Sequence, residues 1–198
     1  MYNSVIKLIK DREMEIKLEH HFKNTCYDIN KLLTGVTNLT TFLNRLDKQS
    51  QEFPEMWSPK KYKGDGFECL VEAIIKLNPT NTRINITNYL PAPVDQMGID
   101  GSGETFDGMP HEVQAKLSMD PNKLITEEHE NIAMFPAIAA TKHMGKEIQM
   151  TLFTTAKDLH YVLENFNSKV RVLGRKDIER LVNTSTFWKH FHDLMLDK

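Results

Sequence analysis

Four side chains in this chain of 198 residues have types and spacing suited to breaking a phosphodiester: Glu68, Asp100, Gln114 and Lys116. Along a β-strand, residues two apart share a face. Glu112, Gln114 and Lys116 therefore project together, while Val113, Ala115 and Leu117 face an opposite, buried side. The run Gly98-Ile99-Asp100 reads as the end of the preceding strand, and the polar loop from Gly101 to Pro110 returns the chain beside it. Asp100 then stands near Gln114 and Lys116. Such hydrolysis requires a hard cation that stabilises developing charge and activates water, and Mg²⁺ takes oxygen ligands while keeping several waters. Asp100 suits the first ligand, the Gln114 amide oxygen a neutral second, the Ala115 carbonyl a third, and Glu68 the remaining carboxylate. Lys116 is placed to orient water or to stabilise the pentavalent phosphorus centre. Mn²⁺ would substitute for Mg²⁺. The bland alternative is a surface hairpin of ordinary polar residues. Asp107, close before Gln114, competes with Asp100 for first ligand, and Asp95 is a remoter candidate. Asp100 is preferred because it follows an apolar residue directly, whereas Asp107-Gly108 reads as a turn.

The elements that position these residues follow from periodicity. Apolar residues at helical spacing over 4–23, continued by Tyr27, Ile29, Leu32 and Leu33, predict helix, with Gly35 as its stop. A second helix starts near Asn38, with Asn38 or Thr40 available to cap it, and carries Leu39, Phe42, Leu43 and Leu46. Residues 1–50 thus read as a helical N-terminal element, 51–63 as a Pro-containing linker, and 64–198 as the domain that holds the chemistry. Within that domain the pattern predicts a helix over Phe67–Leu77 bearing Glu68, then a strand-like run over 82–89. Strands near 98–101 and 110–117 come next, followed by a helix from Thr126 to Lys142 with a Thr126/His129 cap. Beyond Gly145 come a strand over 148–155, a helix over 156–166, a strand over 169–173 and helices from Arg175 and Thr186. This alternation predicts an α/β fold with a mixed central sheet flanked by helices.

Composition narrows the function classes. A hydrophobic fraction of 40%, a charged fraction of 26% and a formal net charge of −2 belong to an ordinary globular protein rather than a basic nucleic-acid coat. No apolar run approaches the ~18–20 residues of a membrane span, and the charged N-terminus lacks a secretory core, so a cytoplasmic location is expected. Phosphate contacts would then come from local clusters. One is Lys60, Lys61 and Lys63; another runs from Lys169 to Arg180 and includes Arg171 and Arg175. Either is equally well a solvated face. Cys26 and Cys69 read as reduced thiols inside helices. His20-His21 and His190-x-His192 read as exposed helix residues without zinc-ligand spacing. There is no glycine-rich phosphate loop, so no nucleotide cofactor is expected. The methionines read as core filling.

From Gly64 to Val182 the chain resembles the PD-(D/E)XK restriction-endonuclease-like superfamily, most of all its Mrr-type branch. Phe67-Glu68 resembles the helix motif and Gly98-Ile99-Asp100 the first catalytic motif. Gln114-Ala115-Lys116 takes the Gln-x-Lys form of the second. The segments Leu152-Phe153-Thr154-Thr155-Ala156 and Val170 to Leu181 are similar to that branch's later strand-helix-strand-helix portion. The resemblance implies a restriction-endonuclease-like sheet, a Mg²⁺-dependent endonuclease acting on DNA, and a helical extension that assists DNA binding or homodimer formation. A catalytically weak nucleic-acid-binding or assembly protein of the same fold, or an RNA-directed nuclease, are the alternatives. Two departures matter: no proline precedes Asp100, and glutamine replaces the usual acidic residue, which lowers the charge of the site.

Overall fold

The computed structural model describes residues 16–52, 58–93, 98–126, 132–159 and 170–198. Its N-terminal part contains helices α1 (Phe22–Thr25), α2 (Ile29–Leu33), α3 (Leu39–Glu52) and α4 (Pro59–Leu77). The helix expected over 4–23 lies largely outside the described residues, and residues 16–20 carry no regular secondary structure. Gly35 closes the early helices at φ +71°, where a Cβ would be strained. Of the two available caps, Asn38 and Thr40, it is Asn38 that caps α3, its Oδ1 accepting from Thr41 N–H at 2.8 Å.

Helix α4 begins eight residues before the expected start. Pro59 occupies its first turn, where a fixed φ favours helix and the missing N–H costs nothing. Tyr62 is buried, its ring 5.0 Å from Phe22 and 4.7 Å from Tyr27. That burial outweighs the helix penalty of Gly64 and Gly66, about 1 kcal/mol each. Gly66 has a further reason to be glycine: a Cβ there would lie 2.6 Å from Leu46 Cδ1, so α3 and α4 cross closely at this point. Lys60, Lys61 and Lys63, expected in a linker, are therefore the opening turns of the helix that carries Glu68.

The sheet strands are β1 (Thr87–Pro91), β2 (Gly101–Glu104), β3 (Pro110–Lys116), β5 (Gln149–Thr154) and β7 (Arg171–Leu173), hydrogen-bonded in the order β1-β2-β3-β5-β7. The β1–β2 and β2–β3 pairs are antiparallel; β3–β5 and β5–β7 are parallel. A small parallel pair joins β4 (Leu124–Ile125) to β6 (Asp158–Leu159). Helices α5 (Phe135–Lys142), α6 (Arg175–Val182) and α7 (Ser185–Met195) complete a mixed α/β fold. One face of the sheet, through Val113, Ala115, Phe153 and Leu173, shares a core with the N-terminal helices, α4, α6 and α7. The other face, through Met150 and Leu152, packs on Phe135 and Ala139 of α5. No helix among the described residues is long and apolar enough to cross a membrane.

Three expectations are corrected. The strand read over 82–89 begins only at Thr87, because Asn81 Oδ1 accepts from Arg83 and Ile84 N–H and folds the preceding residues into a turn. The helix expected from Thr126 starts at Phe135, and its cap at His129 lies outside the described residues. Ala156 opens a bend instead of a helix, since Lys157 N–H pairs with Lys123 O at 2.9 Å and draws Asp158–Leu159 into β6. The rest of that expected helix lies outside the described residues.

Candidate active site

Strand β3 is central, and both of its faces are covered. The alternation read from the sequence is real, yet it does not divide solvent from core: Glu112 and Gln114 are as buried as Val113 and Ala115. Two buried polar residues near the N-terminal end of β3 are explained locally. Glu112 is held by Ser102 Oγ at 2.7 Å, Lys142 Nζ at 3.1 Å and His143 Nε2 at 2.6 Å, which ties the end of α5 to the sheet. His111 lies between Asn85 O and Thr151 Oγ1.

At the other end of β3, Glu68 and Lys116 come within electrostatic reach of Asp100. Asp100 precedes β2 instead of ending a strand, because β2 starts at Gly101. Tyr89 packs so closely over Gly101 that a Cβ there would meet its hydroxyl at 2.1 Å. Asp100 N–H donates to Val113 O at 2.8 Å, and Asp100 Oδ2 accepts from Ala115 N–H at 2.6 Å. The antiparallel ladder ends at the Gly101–Val113 pair, and because Asp100 N–H also bonds Val113 O, Asp100 and Gly101 together oppose Val113 in a β-bulge, with Gln114 one residue further along β3. Burial pushes the Asp100 carboxyl up to about 6 and the neighbouring Glu68 charge adds to this, while Ala115 N–H, Lys116 and His20 pull it back. Glu68 and Lys116, from different elements, thus both act electrostatically on Asp100.

Gln114 is fully buried, and neither its Oε1 nor its Nε2 has a hydrogen-bond partner among the described residues. A buried amide left unsatisfied costs on the order of 1–3 kcal/mol, so this side chain is retained at the expense of stability. The Ala115 carbonyl also faces Asp100, because the N–H and C=O of one strand residue point to the same edge, and Ala115 N–H already reaches the Asp100 carboxylate. Lys116 is fixed from behind: its carbonyl accepts from Thr154 Oγ1 at 2.8 Å and Thr155 N–H at 3.4 Å. Among the described residues no group of three or more His, Cys, Asp or Glu side chains is gathered tightly enough to hold a metal. The expected donor set draws instead on two carboxylates, an amide and a backbone carbonyl. Its mutually repelling acids and unsatisfied amide oxygen fit a hard cation with oxygen ligands.

The residues that sequence reasoning missed lie in segment 16–21. His20 and His21 were expected to be exposed on a helix. His20 is instead 3% exposed, with Nε2 3.2 Å from Glu68 Oε2, and His21 Nε2 lies 3.0 Å from Asp65 Oδ2. Glu72, fully buried, accepts from the backbone N–H groups of Glu19 and His20 at 2.8 and 2.9 Å and pairs with Lys76. A signal existed: Lys61, Asp65, Glu68, Glu72 and Lys76 form a polar stripe at helical spacing on α4, and buried carboxylates need partners. Nothing in the sequence says that the partners are about fifty residues upstream.

The remaining candidates are placed as follows. Asp107 is exposed in the β2–β3 turn, far along the hairpin from Lys116, and is engaged by Thr105 Oγ1, which holds its carboxyl below the usual range. Asp95 and Lys169 lie outside the described residues. Lys63 pairs with Asp47 at 2.6 Å and Lys61 reaches Asp65 at 3.4 Å, while Lys60 is exposed. Arg171 donates to Arg83 O, and Arg175 is tucked against Glu179, Thr155 and Thr40. Cys69 is a buried free thiol, and Cys26 follows α1 as a half-buried one.

No protein-family model matches this chain. No curated protein matches it. A crystal structure of protein VC1899 from Vibrio cholerae is similar over 87% of the chain, at 13% identity and a TM-score of 0.46, and the chain spans 49% of that protein's length.

Proposed function

We propose that this chain is a Mg²⁺-dependent DNA endonuclease of the PD-(D/E)XK type. The observation that carries the reading is the meeting of Asp100 with the Ala115 backbone, beside the charges of Glu68 and Lys116 and on the strand that carries the unsatisfied amide of Gln114. Asp100, the Gln114 amide oxygen, the Ala115 carbonyl and Glu68 would hold the cation. When bound, Mg²⁺ or Mn²⁺ supplies charge stabilisation at the phosphoryl oxygens and acidifies a water. Lys116, anchored through its carbonyl by Thr154 and Thr155, brings an ammonium to the phosphate, where it orients the attacking water and offsets charge gathering at phosphorus. Val113 and Ala115, packed on the helical layer, keep this end of β3 rigid. The helical N-terminal element assists DNA binding or pairing with a second copy, and the location is cytoplasmic.

The test is metal-dependent nicking of a supercoiled plasmid by wild type and Lys116→Ala. The expected result is cleavage by wild type that is reduced at least ~100-fold in the variant, the usual scale for losing one group that stabilises transition-state charge. Binding of DNA without cleavage at any Mg²⁺ or Mn²⁺ concentration would favour the second reading, a nucleic-acid-binding or assembly protein of this fold. What supports that second reading is the pairing of Lys63, Arg175 and Glu68 within the protein and the glutamine at 114. Cleavage confined to an RNA substrate would identify an RNA-directed nuclease.

A further inference from the structure

Glu68 is the only proposed metal-side carboxylate that arrives on a helix, and its orientation depends on a segment outside the sheet. His20 is clamped to α4 through its own backbone, since its N–H donates to Glu72 Oε2 at 2.9 Å and the adjacent Glu19 N–H donates to Glu72 Oε1 at 2.8 Å. Lys76 closes the clamp, donating to Lys17 O at 2.7 Å and pairing with Glu72 at 2.8 Å. The imidazole is equally constrained. Phe22 N–H donates to His20 Nδ1 at 3.2 Å, so Nδ1 offers its lone pair and the proton resides on Nε2. That Nε2–H points at Glu68 Oε2, 3.2 Å away. The ring of His21 lies 4.4 Å from that of His20 and limits its rotation, while His21 Nε2 contacts Asp65 and not Glu68.

We propose that His20 is a positioning residue of the active site: its Nε2–H fixes one Glu68 oxygen and turns the other towards Asp100, so that segment 16–21 completes the metal-side geometry. This rests on the nuclease reading above. Orienting a ligating carboxylate through a hydrogen bond from behind is the general way in which an outer residue tunes metal affinity, with losses of about 10–100-fold on its removal. The role belongs to the bond and not to bulk, because the fold around His20 is held independently by the Glu72 clamp.

The experiment compares wild type, His20→Ala, His20→Gln and His21→Ala by three measurements. These are Mn²⁺ affinity by calorimetry without DNA, the metal concentration for half-maximal plasmid nicking, and thermal unfolding. Glutamine at position 20 places an amide N–H near the site of Nε2–H. The expected result is a roughly tenfold weaker Mn²⁺ affinity and half-saturation for His20→Ala. Recovery to within about threefold is expected for His20→Gln, and wild-type metal response for His21→Ala. Wild-type Mn²⁺ affinity in folded His20→Ala would overturn the proposal. If His20→Ala does not fold, His20→Gln decides: near-wild-type affinity supports the positioning role and a tenfold loss overturns it. Affinity losses in His20→Gln and His21→Ala that match a common loss of melting temperature would also overturn it, since a purely structural role moves all of these together. Wild-type protein that neither binds Mn²⁺ nor nicks would overturn the nuclease reading and this proposal with it, whereas an active wild type with an indifferent His20→Ala overturns this proposal alone.

Discussion

Asp100→Asn should make the metal-free protein more stable. The wild-type carboxyl is held at about 6 against an ordinary 3.8, first by burial and then by Glu68. At about 1.4 kcal/mol per tenfold in the proton equilibrium, its ionised form is about 3 kcal/mol less favourable in the fold at neutral pH. Asparagine removes that cost and keeps an oxygen to accept from Ala115 N–H, a bond of 2.6 Å in the wild type. Some of the gain is offset by placing an amide N–H₂ in the same space, so a net gain of about 1–3 kcal/mol is expected. For a chain of this length that corresponds to a rise of roughly 3–9 °C in melting temperature. The sign fixes the pH window. A carboxyl whose folded value is raised favours the folded state fully below its unfolded value of 3.8, and that advantage is lost as pH rises through about 6. The variant's advantage should therefore be absent near pH 4, grow between about pH 4 and 7, and stay constant above that. Scanning calorimetry in chelator across this range measures it. Added Mn²⁺ should stabilise the wild type and leave Asp100→Asn nearly unmoved. An Asp100→Asn variant that is less stable at pH 7.5, or a gap independent of pH, would refute the argument that burial and Glu68 jointly strain this carboxylate.

Gln114→Glu should tighten Mg²⁺ or Mn²⁺ binding or leave nicking intact, because a carboxylate oxygen is the stronger ligand for a hard cation; calorimetry showing abolished binding would remove Gln114 from the ligand set. Without metal the same change places a fully buried carboxylate one residue from the Asp100–Ala115 contact and should lower the melting temperature, which thermal unfolding in chelator reads directly. Replacing Lys60, Lys61 and Lys63 together by alanine should weaken DNA binding and flatten its salt dependence, at about 0.9 in log K per lost phosphate contact. Since Lys63 and Lys61 already pair with Asp47 and Asp65, a slope change nearer one contact than three is expected, and an unchanged slope would shift the interface elsewhere. His111 adds an acid-labile element: burial holds it down to about 4 against 6.5. Its contribution should be complete above pH 6.5 and lost as pH falls towards 4, by up to about 3 kcal/mol. Denaturant titrations of wild type and His111→Gln at pH 7 and pH 4.5 should show the difference between them shrinking at the lower pH.

The sequence was informative wherever local chemistry decides structure. The alternation from Pro110 to Lys116 specified β3 almost to the residue, because a strand's period of two puts every second side chain on one face. The start of α3 was narrowed to a cap at Asn38 or Thr40, since an N-cap needs only its own oxygen and a nearby N–H, and Asn38 serves. The pairing of Asp100 with the Gln114–Lys116 strand was legible as well, because one short antiparallel connection joins the two and leaves few registers. Other features were hidden for reasons of distance. Helix α4 reaches back to Pro59 only because Tyr62 finds Phe22 and Tyr27 to pack against, a tertiary term larger than the local penalty of two glycines. Asp158–Leu159 became a strand because Leu124–Ile125 lay beside it. The burial of Glu112 and Gln114 followed from α5 covering the face that alternation alone would leave to solvent. Nor could any spacing reveal that His20 meets Glu68, since the two are brought together by the fold of the whole N-terminal element around α4. Residue types and periods determine which side chains share a strand or a helix face; only the packed chain decides which faces meet, because burial and charge pairing act between segments whose order in sequence does not constrain their neighbours in space.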